Sequence, residues 1–294
     1  MAGFYQAYGL LTFFKLGLIY LIFNYHKLEE SASELVTQIS TSSLVTSDQL
    51  LYFRAFCLVS NLYVDLIPTF FDKVGHTITA FQIDTQPRTV RMKGGIRFCT
   101  FTLWSWLIQG IYFACAIATQ LGYITNLYFL EAIVIMFELA TSVAILVTVV
   151  VTFVLIPGAA KGDVKNMVGL FRFQVLLTHN ANVVFMITEL VLNNIKFKFS
   201  HFPYAGLFGI TYIAFSWILA QKIGVFFYNF LNYNFPKVLM AYTGLLFALS
   251  VFFTIAFGIS HYVDPTHNPW TIPFIVIGVI SICKVRMPVK PKKE

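Results

Sequence analysis

Apolar residues run along this chain in long stretches, separated by shorter polar breaks. Seven stretches, roughly 4–24, 50–71, 98–121, 127–156, 170–193, 204–230 and 236–260, reach the length of about 20 residues that a helix needs to cross a bilayer. An eighth, 270–283, is short and carries Pro273. None alternates with the period of two expected of a barrel strand. Backbone groups in lipid must bond within their own segment. The pattern therefore predicts an all-α fold, a polytopic transmembrane helical bundle of about six to eight spans.

The polar breaks carry their own signals. Between 25 and 49 the chain turns to Ser, Thr and Glu, and Ser31-Ala32-Ser33-Glu34 has the spacing of a capping box that would start a short surface helix. The break at 72–97 is basic, with Lys73, Arg88, Arg91, Lys93 and Arg97, and reads as a long loop ending in Gly94-Gly95 as a hinge.

Composition narrows the class. Of 294 residues, 58% are hydrophobic and only 11% charged, which excludes a free-standing soluble enzyme. The net charge of +7 comes without a basic patch interleaved with aromatics, so nucleic acid is not the expected partner. Counting Lys and Arg by side puts Lys73, Arg88, Arg91, Lys93, Arg97, Lys161, Lys165, Lys237, Lys284, Arg286, Lys290, Lys292 and Lys293 on one face, and Lys27, Lys196 and Lys198 on the other. The positive-inside tendency then places both termini on a cytosolic or matrix side, in the endoplasmic reticulum or the mitochondrial inner membrane. Cys57, Cys99, Cys115 and Cys283 form no CxxC pair and have no His at ligand spacing, so they read as buried free thiols. No metal or cofactor motif stands out. Residues 1–24 lack a basic leader and a small-residue cleavage site, so they read as a retained span.

Polar groups inside apolar runs are costly, which makes each a candidate site. At 100° per residue, His179, Asn182, Met186, Glu189 and Asn193 share an arc of about 80° on the fifth span. Such a stripe either lines a cavity or glues helices together by hydrogen bonds. On the second span Arg54, Asn61 and Asp65 share a face, and Arg54 and Asp65 each need a partner on another helix. Glu131 and Glu138, seven residues apart on the fourth span, would bind a cation, relay protons, or be neutralised by nearby Lys or Arg. Thr100 opens the third span, whose N-terminal end the side count puts on the same side as that of the fifth. A Thr hydroxyl activated by a neighbouring imidazole is a workable nucleophile.

Four blocks in register resemble the androgen-induced protein family, whose relatives include the insect Rolling stone protein. They are Phe98-Cys99-Thr100-Phe101-Thr102-Leu103-Trp104 with Gln109-Gly110-Ile111-Tyr112-Phe113; His179-Asn180-Ala181-Asn182 with Glu189; His201-Phe202-Pro203-Tyr204 with Gly209-Ile210-Thr211-Tyr212; and Phe227-Tyr228-Asn229-Phe230-Leu231. The resemblance covers about 95–260. It divides the chain into N-terminal membrane segments with their loops (1–94), a family-like core (95–260), and a short hydrophobic segment with a basic tail (261–294). It implies an intramembrane hydrolase of fatty acid esters of hydroxy fatty acids, with Thr100 as nucleophile and His179 as base. Asn182 and Glu189 are the associated candidate substrate-binding residues. Two departures stand out. Leu176 occupies the place of the first of two His in animal members, and Asn229 replaces a Pro.

Two functional classes follow. One is the lipid ester hydrolase, with membrane lipids entering laterally. The other is a non-catalytic accessory subunit of a large membrane complex, such as a mitochondrial respiratory assembly, whose polar loops contact neighbouring subunits. A transporter using Glu131, Glu138 and Asp65 has no inverted repeat behind it.

Overall fold

The computed structural model describes residues 2–161, 168–262 and 268–287. Lys165 and the tail lysines Lys290, Lys292 and Lys293, all used in the side count, lie outside them. Nine helices carry the architecture of the described residues: α1 (Ala2–Tyr25), α2 (Ala32–Ser40), α3 (Ser47–Phe71), α4 (Phe101–Gln120), α5 (Leu127–Val150), α6 (Phe173–Leu192), α7 (Phe202–Ile223), α8 (Val238–Tyr262) and α9 (Thr271–Ile282). A π turn, Val151–Leu155, carries α5 on into Ile156–Lys161. A second π turn, Leu177–Ala181, lies inside α6. Seven of these helices are long and apolar enough to cross a membrane, as the hydrophobic runs predict. The protein is a multi-span helical membrane bundle. The eighth run forms α9, whose 12 residues rise about 18 Å against a core of about 30 Å, so it is too short to span as a helix.

Caps set the helix boundaries. Ser31 and Glu34 form the expected capping box at α2: the Glu34 amide donates to Ser31 Oγ at 3.3 Å, and the Ser31 amide donates to Glu34 Oε2 at 2.7 Å. Thr46 and Gln49 make a second box at α3, which gives the amphipathic start of that span a fixed origin. The sixth run ends seven residues before the predicted 230. Gly224 adopts a left-handed conformation (φ 75°) and caps α7. The apolar residues beyond it, Val225 and Phe226, form strand β3. Hydropathy alone joins them to the helix, because it does not separate a lipid-facing residue from one buried in a sheet.

The basic break also departs from a plain loop. His76–Gln82 (β1) and Pro87–Met92 (β2) pair antiparallel from His76↔Met92 to Phe81↔Pro87, and β3 joins the other edge of β1, giving the order β2-β1-β3. Ala80, Met92, Val225 and Phe227 close a small apolar cluster beneath the sheet. On the exposed edge strand, Pro87, Arg88 and Arg91 discourage pairing with another chain.

The centre of the bundle is α5. Of its most apolar window 61% is buried, against 11% for α1, and it packs against α2, α4, α6, α7 and α8. Helix α1 lies against α7 and α8. At Gly110 on α4, α3 comes so near that a Cβ would sit 3.3 Å from the Asn61 side chain. All four cysteines are free, and Cys57 alone is fully buried. The sheet marks one end of the bundle, the hairpin end. The other, the loop end, collects α2, the end of α6, the segment 193–201 and the starts of α5 and α7.

Candidate functional site

The sequence-predicted residues separate into two groups. Thr100 is the N-cap of α4, half-buried, and its hydroxyl donates to the Arg97 carbonyl at 3.4 Å. His179 lies in the π turn of α6, buried, with its ring Nδ1 lacking a partner. Helix α4 packs against this turn, and Trp106 meets Phe185 with ring centroids 6.1 Å apart. No hydrogen bond joins Thr100 and His179. Asn182 is buried against α5, where the single Thr148 hydroxyl proton has the His179 carbonyl at 2.7 Å and Asn182 Oδ1 at 3.0 Å as competing acceptors.

Glu189 belongs to a buried polar cluster nearer the loop end, where its Oε2 has no hydrogen-bond partner. Arg54 donates to Glu189 Oε1 from Nε at 2.9 Å and from a terminal nitrogen at 2.6 Å. It also donates to the Ile39 carbonyl at 2.7 Å and to Gln120 Oε1 at 3.1 Å. The Tyr112 hydroxyl reaches the same Glu189 oxygen at 2.7 Å. Arg54 and Glu189 are both 0% exposed. The partner Arg54 requires is thus the very acid of the fifth-span stripe, and for Glu189 the glue reading describes the geometry. Asp65 faces Arg97 as its nearest cation, but its Oδ1 has no hydrogen-bond partner.

A second cluster gathers at the loop end, where α1, α5, segment 193–201 and α7 converge. Glu131 sits one turn into α5, near the membrane interface, and Glu138 lies two turns deeper on the same face. His201 bridges them: Nδ1 is 2.7 Å from Glu138 Oε2, and Nε2 is 3.0 Å from Glu131 Oε1. His26 enters from the end of α1, with Nε2 3.4 Å from the same Glu131 oxygen and Nδ1 2.6 Å from the Tyr204 hydroxyl. Lys198 donates to both Glu131 oxygens at 3.0 and 3.2 Å and pairs with Glu30, so the expected neutralisation by a nearby Lys is present. Burial presses the Lys198 ammonium down, but the Glu30 and Glu131 carboxylates outweigh this and hold it above its ordinary value. Burial and the neighbouring His201 keep the His26 imidazole below its ordinary range, hence neutral at pH 7.

An open cavity of about 490 Å³ adjoins this cluster. His26, Glu131 and Tyr204 form its polar wall, and Leu28, Tyr128, Ala132 and Ile135 its largely apolar one. Thr100, His179, Asn182 and Glu189 do not line it.

Comparison with protein-family models, curated proteins and solved structures finds no match. Chemistry must therefore be read from the site itself. Sequence reasoning found Glu131 and Glu138 by their shared face but missed His26, Lys198, His201 and Tyr204 as site residues. His26 and Lys198 lie just outside hydrophobic runs, where polar residues are ordinary. The one available signal was positional: His26 closes the first run, and His201-Phe202-Pro203-Tyr204 opens the sixth.

Proposed function

We propose that this protein is a membrane-embedded hydrolase of lipid esters whose reaction centre is the interfacial His26–Glu131–Tyr204 cavity. The observation that carries this reading is the cavity's two-sided wall. Acid–base groups converge on one side and apolar residues on the other, the two characters that an ester group and its acyl chain require. A water held against Glu131 and the imidazoles would be the attacking group. Tyr204, with its oxygen 2.6 Å from His26 Nδ1, would hold the ester oxygen as charge develops there. The resemblance to a lipid-hydrolase family agrees with the substrate class, whereas the residues differ from its Thr and His.

The test is turnover of fatty acid esters of hydroxy fatty acids by the purified chain in nanodiscs. Glu131→Gln and Tyr204→Phe should each lower kcat about 100-fold. Thr100→Ala should leave it within about twofold. The reverse pattern returns the chemistry to Thr100 and His179. Absence of turnover, with the chain migrating in a larger assembly, moves the reading to an accessory subunit.

A further inference from the structure

The loop-end cluster contains a buried nitrogen that the hydrolase reading leaves without an explanation. His201 is 1% exposed, and its Nε2, although 3.0 Å from Glu131 Oε1, lies off the direction a ring N–H requires and has no hydrogen-bond partner. A buried polar atom without a partner is costly. This one points at a carboxylate oxygen that His26 Nε2 also approaches.

We propose that His26, His201 and Glu131 hold a divalent transition metal ion, with the cavity supplying its open coordination position. One donor atom from each of the three residues lies within 4.8 Å of the others. The two measured edges to Glu131 Oε1, 3.0 and 3.4 Å, bracket the edge of about 3.3 Å expected for tetrahedral zinc with ligands at about 2.05 Å. Two imidazoles and one carboxylate with a vacant fourth position make the donor set of a hydrolytic rather than a structural zinc site.

The surroundings support the same assignment. Imidazole ligands are normally oriented by a hydrogen bond at their other nitrogen. Here His201 Nδ1 is fixed by Glu138 at 2.7 Å, and His26 Nδ1 by the Tyr204 hydroxyl at 2.6 Å, so both rings present Nε2 to the common point. Glu138 in turn accepts the Lys198 backbone amide at 2.7 Å on its second oxygen. Lys198 spans Glu131 and Glu30 and contacts Glu131 Oε1 at 3.0 Å as well as Oε2 at 3.2 Å, so ion binding at Oε1 requires the ammonium to move wholly onto Oε2 and Glu30. Charge gives a further reason. Glu30, Glu131 and Glu138 against Lys198, with neutral imidazoles, leave two negative charges in a mostly buried pocket, the amount one divalent cation neutralises. The competing arrangement is metal-free, with a proton on His201 where it bridges Glu131 and Glu138.

As a deeper account of the proposed reaction centre this rests on that reading for its chemistry, since a bound zinc ion supplies an acidified water. The site itself stands on geometry alone. The full chain, purified through a tag that contains no His, is incubated with Zn²⁺ or Co²⁺, desalted, and assayed for metal by mass spectrometry. One equivalent per chain is expected, with the visible absorption of four- or five-coordinate Co²⁺. His26→Ala and Glu131→Gln should each weaken binding about 100-fold, while His261→Ala, at an exposed imidazole outside the cluster, should not change it. Circular dichroism and thermal melting identify any variant that fails to fold, and Tyr204→Phe then serves as a milder probe, with an expected loss of about tenfold. Uptake below one-tenth of an equivalent by folded wild type, or uptake unaffected by both ligand changes, overturns the proposal and favours the metal-free cluster with its proton on His201. Metal bound at full stoichiometry without ester turnover would overturn the hydrolase reading and leave the site standing.

Discussion

Two buried charge clusters lie toward the same end of this bundle, and they differ in access from outside. Around Arg54, all three guanidinium nitrogens have acceptors, from a carboxylate, an amide and a backbone carbonyl. Around Glu131, an imidazole nitrogen is left over and a cavity reaches the carboxylate. Both clusters place His, Arg, Lys or Glu where lipid would penalise them. Both clusters hold one unpartnered buried atom, Glu189 Oε2 in the first and His201 Nε2 in the second, but only the second is reached by a cavity, and that access equips it for a ligand. Unequal access, rather than unequal polarity, distinguishes structural from chemical use of charge in a membrane protein.

The contrast is broken most severely at Arg54. Arg54→Ala strips a fully buried carboxylate of its counter-ion and should cost about 3–5 kcal/mol, read as loss of folded protein in detergent thermal melts. The pair of changes Arg54→Met and Glu189→Leu should recover most of that, because an apolar pair of similar volume leaves no unpaired charge. Glu138→Gln ranks next, at about 1–3 kcal/mol, because it weakens charge-assisted bonds to His201 and to the Lys198 amide. Lys198→Met should cost about 1 kcal/mol or less, as the ammonium is partly solvated, yet it should tighten metal binding by on the order of tenfold through removal of a competing cation. Thr100→Ala closes the series. Its hydroxyl makes one long bond and caps no amide, so a melt should shift by less than about 0.5 kcal/mol.

How much of this was legible in the sequence follows from the same physics. Spans are written in hydropathy because lipid imposes length and apolarity on every crossing helix. Arg54 and Glu189 stood out because each interrupts such a run, and their need for partners on other helices was readable although the partner's identity was not. Glu131 and Glu138 were placed on one face by periodicity. His26 and His201 lie 175 positions apart in the chain and meet only because α1 lies against α7, a packing choice that no local pattern records. The hairpin had a local signal in Thr77-Ile78-Thr79 and Thr89-Val90, β-branched residues spaced for strands, but the basic charge of the segment dominated its reading.

The three-stranded sheet carries a consequence for biogenesis. Strands β1 and β2 lie next to each other in the chain and can pair as soon as they leave the ribosome. Strand β3 arrives only after four more long helices, including the central α5, have been made. Its docking on Phe81 and Gln82 therefore cannot precede insertion of α7, and the outer edge of β1 stays open until then. Completion of that edge reports that the sixth long helix has reached the correct end of the bundle, which makes the sheet a late checkpoint in membrane assembly.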